Sequence, residues 1–194
     1  IVLWNYFAET TMTSMRSIAD KGDMMRKVYF PRITIILSAS ISSTITLLLN
    51  MIVVIIFLVF ARINPGFGVL YFILLLAELY ILCLGVSFVL SALYVKFRDV
   101  GHIWEVLLQL LFYASAIIYP LSIVPLRFQK IILLNPITQI IQDSRYHLIS
   151  KSTITSEKTL GLALSLVPYL ITLVLLIAGF IYFEKSAKNF AEEA

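Results

Sequence analysis

The chain has 194 residues, 60% of them hydrophobic and 13% charged, with a net charge of +4 and a mean hydropathy of +0.96. Soluble domains carry about 25% charged residues, so this composition excludes an ordinary soluble domain and describes an integral membrane protein. The basic residues flank apolar runs without forming a solvated face, which argues against nucleic acid as a partner, and the single Cys83 excludes an intrachain disulfide or a cysteine metal cluster.

In chain order, residues 1–18 form the least hydrophobic candidate span. No signal-type leader precedes it, so we expect a piece lacking its natural amino terminus. Asn5, Glu9, Thr13, Arg16 and Asp20 recur at steps of four, four, three and four. At about 100° per residue they share an arc of roughly 80°, with Leu3, Trp4, Phe7, Ala8 and Met15 largely elsewhere. A helix with one polar stripe borders a cavity or another helix within the membrane. Glu9 either faces such a path or hydrogen-bonds a neighbouring span. Arg16 lies about 10 Å further along the axis, too far for a direct salt bridge to Glu9.

A dense polar cluster follows (Arg16, Asp20, Lys21, Asp23, Arg26), and then Lys27, Val28, Tyr29, Phe30, Pro31 and Arg32. Beyond it no charge occurs from Ile33 to Ala61, long enough to cross a core of about 30 Å with some tilt. Basic residues beside a span are retained on the cytoplasmic side, so 20–32 reads as a cytoplasmic elbow or an ordinary basic anchor. Within the second span, Ser38, Ser42, Thr46 and Asn50 step by four; they serve close helix packing or a polar pathway. After a turn at Arg62, Asn64, Pro65 and Gly66, the third span covers 69–95. Its Tyr80, Cys83, Ser87, Ser91 and Tyr94 form a helix–helix face, Cys83 as a small packed thiol. Glu78 points almost oppositely, which places it toward the outer interface. Lys96, Arg98 and Asp99 make a second cytoplasmic loop or a simple membrane stop.

The fourth span is expected over 103–121, ended by Pro120 and Pro125. Residues 128–134 and 137–149 are two short apolar segments split by Asn135 and Pro136, with Arg127, Lys130, Asp143 and Arg145 among them. Segments of this length are too short to cross, and read as re-entrant or interfacial helices within an external loop over 122–158. The last span, 159–183, is expected to bend at Pro168. Five spans place the ends on opposite sides. With Ile1 outside, nine Lys/Arg lie inside (16, 21, 26, 27, 32, 96, 98, 185, 188) and six outside (62, 127, 130, 145, 151, 158).

No phosphate-binding G-x-x-x-x-G-K-[ST] occurs, His102 and His147 lack metal-ligand spacing, and no nucleophile–base set or paired-carboxylate site stands out. The expectation is therefore no catalytic residue, no metal and no cofactor in this chain.

Specific motifs carry a resemblance. Trp4, Asn5, Tyr6, Phe7, Ala8 and Glu9, followed by the Lys27-to-Arg32 elbow, resemble the second span and cytoplasmic elbow of the type-2 ABC export permeases for polysaccharides and teichoic acids. Phe97, Arg98, Asp99 and Val100, then Leu111 to Ser115, Tyr119 with Pro120, and Asn135 with Pro136, follow in that family's order. Two positions depart from it: Ala116 and Ile36 stand where the family often has proline.

The resemblance covers nearly the whole chain. It implies an all-α integral membrane protein in which 1–194 is one permease domain, with five of the family's six spans and short re-entrant helices before the last. The family's interface helix and first span would be missing. It further implies a multi-pass subunit in the cytoplasmic membrane of a bacterium or archaeon, paired with a second copy of itself and driven by a separate ATP-binding subunit that holds MgATP. Met24, Met25, Arg26, Lys27, Val28, Tyr29, Phe30, Pro31 and Arg32 would be the coupling helix against that ATPase. Trp4, Asn5, Phe7, Glu9, Thr13, Phe112, Tyr113 and Tyr119 would line a path for a lipid-linked glycan or the dimer seam, since sugar rings stack on aromatic faces. For Trp4 and Trp104 an interfacial aromatic belt is the alternative. Arg127, Asn135, Pro136 and Arg145 would belong to an external gate, with membrane lipids around the whole. A permease for drugs or small lipids, or a membrane transferase acting on a polyprenyl-linked glycan, are the competing functions; the transferase would need Glu9, Glu78 and Glu105 to converge.

Overall fold

The structure is a computed structural model that describes residues 1–21, 31–63 and 66–187. Met24, Met25, Arg26, Lys27, Val28, Tyr29 and Phe30 of the coupling segment lie outside the described residues, as do Asn64, Pro65 and Lys188. The described residues form helices and turns without strands: α1 (Val2–Asp20), α2 (Ile33–Phe60), α3 (Gly68–Lys96), α4 (Val100–Ala114), a 3-10 turn (Leu121–Ile123), α5 (Leu126–Leu133), α6 (Pro136–Leu148), α7 (Ser156–Leu160), α8 (Leu162–Ser165) and α9 (Val167–Ala187).

The all-helical membrane fold expected from composition is present. Among the described residues, three stretches are long and apolar enough to cross a bilayer: α2, α3 and the run Leu162–Ala187. With 19 residues α1 reaches about 28 Å, but its polar stripe lowers its hydropathy. α4 has 15 residues and reaches only about 22 Å.

α3 is the central element, packed by α1, α6 and α9. Its Cys83, Ser87 and Ser91 are fully buried, as their common face led us to expect. Against α9 the approach is close enough to need glycine: a Cβ on Gly85 would sit 2.7 Å from the backbone nitrogen of Leu176, and one on Gly179 would meet the Gly85 carbonyl oxygen. α1 lies against α2 and α3, with the Tyr6 and Thr44 hydroxyls 2.9 Å apart. Ile45, Leu48, Leu49, Ile52, Ile55 and Ile56 of α2 are exposed, an apolar surface suited to lipid.

Two boundaries need correction. The fourth helix stops at Ala114, seven residues short of position 121, because the chain turns at Ser115 and Ala116 adopts φ 48°. The last span starts at Leu162, after Gly161 (φ 77°), and its helix is interrupted at Leu166, two residues before Pro168, the second residue of α9. Glu78, at 6% exposure, is buried within α3, where α6 folds back onto that helix.

Candidate functional site

The stripe on α1 is present. Asn5, Glu9, Thr13 and Arg16 are exposed, while Leu3, Trp4, Tyr6, Phe7, Thr10, Thr11, Ser14 and Met15 are buried. Arg16 finds its partner on another helix: its Nη2 donates to Glu105 Oε1 of α4 at 2.9 Å, near His102. Glu9 makes no ion pair among the described residues. The second stripe behaves alike. Ser38, Ser42, Thr46 and Asn50 are all exposed on α2, and their hydroxyls fall back on their own helix, Ser38 Oγ on Ile35 O and Thr46 Oγ1 on Ser42 O. Two membrane-length helices therefore each turn a polar row away from the rest of the chain.

The aromatics expected beside the stripe divide. Trp4 and Phe7 are buried within the chain. They lie around the helix from the stripe and pack on α4, with Trp4–Phe112 at 5.6 Å and Phe7–Trp104 at 6.2 Å between ring centroids. Trp104 is buried too, its Nε1 donating to Thr11 Oγ1 at 3.1 Å, so it belongs to this contact. Phe112 is half-buried and Tyr113 exposed; the half-buried Tyr119 donates to the Tyr113 carbonyl at 3.0 Å.

The two short helices of the expected external segment are present. Asn135 caps α6 by accepting from the Ile137 N–H at 3.1 Å, and Pro136 occupies the first helical position. With 13 residues α6 spans about 20 Å and cannot cross. Its first nine residues are all buried. Asn135 Nδ2 reaches Ser115 Oγ, and Arg145 and Gln142 both donate to the Ala116 carbonyl, with Arg145 also on Ile117 O. Thus α6 supplies donors to the carbonyls of the buried turn that follows α4. Arg127 and Lys130 are exposed on α5.

On its other side α6 carries a buried polar network that sequence reasoning missed. Asp143 accepts from the Ser156 N–H (3.0 Å), Ser156 Oγ (2.7 Å) and Gln139 Nε2 (3.0 Å), and Gln139 Nε2 also donates to the Tyr169 hydroxyl. Glu78 of α3 adjoins Gln139. The one visible signal was an aspartate inside an apolar segment. Glu9, Glu78 and Glu105 do not form one acidic site: Glu78 is buried beside α6, Glu9 is on the exposed stripe, and Glu105 is committed to Arg16.

At the opposite junction Lys96 lies over Phe97 and Arg98 over Tyr94, and Asp99 precedes α4 as its N-cap. Pro31 and Arg32 open α2, their carbonyls accepting from Thr34 and Ile35.

The geometry offers two exposed polar rows and a short buried helix, α6, and among the described residues no group of His, Cys, Asp and Glu that could hold a metal ion. Comparison with known proteins agrees. Residues 1–149 match the model of the ABC-2 type transporter family. The chain is 27% identical over 190 residues to an O-antigen export system permease protein RfbA of Klebsiella pneumoniae, covering 97% of this chain and 71% of that protein. It is 25% identical over 192 residues to the protein of the same description from Myxococcus xanthus, with the same shares covered. This chain, a multi-pass membrane subunit of a transporter, belongs to the ABC-2 type transporter family.

Proposed function

We propose that this subunit exports a lipid-linked polysaccharide of the O-antigen kind, or a teichoic acid, across the cytoplasmic membrane. It works beside a second copy of itself, driven by a separate ATPase subunit that binds MgATP. The observation that carries this reading is the pair of polar rows on α1 and α2, exposed on helices of membrane length. An ionisable side chain at mid-membrane costs on the order of 3 kcal/mol on insertion scales, so Glu9 facing lipid is a poor placement. A polar path or a seam with another copy relieves that cost. The export named for the relatives supports a glycan as cargo. The residues from Met24 to Arg32 are assigned to coupling; an apolar knob before Pro31 suits a partner's groove.

The test uses the full-length permease with its ATPase. Glu9→Gln keeps the hydrogen-bonding outline and removes the charge. It should lower polymer export while assembly and basal ATP hydrolysis remain normal, and Glu9→Leu should lower it further. Normal export by both variants would remove the stripe from the pathway. Aspartate at both Met25 and Tyr29 should uncouple hydrolysis from export without affecting insertion; normal transport would make the segment a mere anchor.

A further inference from the structure

Between α3 and α6 lie buried oxygens that no donor of the chain serves. Glu78 is 6% exposed, and among the described residues neither of its carboxylate oxygens has a hydrogen-bond partner. Gln139, fully buried on α6, adjoins it. Its amide has no N–H to spare: Nε2 gives one to Asp143 Oδ2 at 3.0 Å and the other to the Tyr169 hydroxyl at 3.1 Å. The Gln139 Oε1 is itself buried without a partner among the described residues. Turning the amide over would only set Oε1 against the Asp143 carboxylate. Asp143 also accepts from the Ser156 N–H and hydroxyl. Glu78 and Gln139 are enclosed by the chain's own helices, so a group from another subunit or another segment does not reach these oxygens.

A buried carboxylate without a partner is among the costliest groups a protein can hold. The neighbouring helices bring no cation to it. Asp143 on α6 is a second acid, Tyr169 on α9 offers a hydroxyl, and His147, one turn further along α6, stacks on Tyr71. Tyr6 of α1 is bonded to Thr44, Arg16 of α1 is paired with Glu105 of α4, and α2 carries no charged residue. Glu184 and Lys185 are exposed at the far end of α9. What resolves the site must therefore be small enough to enter it. A hard metal cation takes about six oxygens or more, against the three unpartnered ones of Glu78 and Gln139. One proton suffices, because it turns one of two adjacent acceptors into a donor. We propose that Glu78 is a proton-binding site whose O–H donates to Gln139 Oε1, clipping the short helix α6 to α3. Ionisation of Glu78 leaves two acceptors facing each other and opens the clip. This inference does not rest on the export reading, since the clip is the same whatever the cargo.

The test is infrared difference spectroscopy on the full-length permease with its ATPase. At neutral pH, wild type minus Glu78→Gln should show the carbonyl stretch of a protonated carboxyl, shifted in heavy water, and no carboxylate bands. Denaturant unfolding supplies the second readout, because Glu78→Gln keeps the outline of the neutral acid and cannot ionise. An unfolded glutamate ionises near about 4.3, so folding at neutral pH takes up one proton. Stability is then lost as pH rises: relative to Glu78→Gln, the wild-type folding equilibrium should fall about tenfold per pH unit until the native carboxyl also ionises. Beyond that point the 150–155 loop should open to limited proteolysis in the wild type and stay closed in Glu78→Gln. Carboxylate bands at neutral pH, or unfolding curves of the two proteins that run parallel in pH, would overturn the proposal. A spectrum that changes when sodium and potassium are replaced by choline would also overturn it, by making this a cation site.

Discussion

The central helix α3 meets two partners in opposite ways. Toward α9 it presents Gly85 against Gly179, and the two backbones touch with no side chain between them. Toward α6 it presents Glu78 beside a network of Gln139, Asp143, Ser156 and Tyr169. In lipid there is no hydrophobic drive between helices, so association rests on close packing or on polar groups that find partners. The first contact fails when anything is added; the second sets Glu78, whose carboxylate oxygens have no hydrogen-bond partner among the described residues, beside a network that itself joins α6, α7 and α9. A transporter needs elements that stay fixed and elements that rearrange. Close backbone packing suits the former, whereas hydrogen bonds can be exchanged one at a time.

The comparison is broken most severely at the glycines. Gly179→Val forces a methyl-bearing carbon into the Gly85 carbonyl, and helix backbones cannot give way as a flexible side chain would. A loss of about 3 kcal/mol or more is expected, the upper end for overpacking, with a fall in the thermal midpoint of the detergent-solubilised subunit. Gly85→Ala should be nearly as harmful. On the polar side, Asp143→Ala leaves three buried donor contacts without their acceptor. It should cost about 2 kcal/mol and open the 150–155 loop to limited proteolysis while the α3–α9 pair holds. Uniform loss of both contacts would mean that the two sides of α3 are not separable.

A third variant sharpens the picture at α1. Trp104→Phe keeps the ring packed on Phe7 and removes the bond to Thr11. A loss of about 1 kcal/mol is expected, and Thr11→Val should add little to it in a double-mutant cycle. The smallest effect belongs to Arg16 and Glu105, whose side chains are 46% and 45% exposed. Their coupling energy should be at most about 1 kcal/mol and should shrink as salt is raised.

Much of this was legible in the sequence, and the reasons for the rest are specific. The stripe on α1 and the Ser/Thr row on α2 followed from a period of four, which survives in a straight helix whatever its partners. The Asn135–Pro136 start of α6 followed from capping chemistry. Glu78 did not follow, because α3 buries two faces and periodicity identified only the small-residue one. The end of α4 was hidden for a different reason: the residues at the break, Ser115, Ala116 and Ile117, include neither proline nor glycine. What stops the helix there is Ala116 at positive φ, held by donors far along the chain. That Trp4 and Phe7 pack inside the chain was not legible, because aromatic character alone does not distinguish a lining from a core.

The staple between Arg145 and the carbonyl of Ala116 spans 29 residues of sequence. A chain is synthesised at about 5–20 residues per second, so the end of α4 is made roughly 1.5–6 s before the group that completes it. During that interval its carbonyls must be served by water, by lipid headgroups or by the insertion machinery. The turn that follows α4 is thus completed only once α6 has been made.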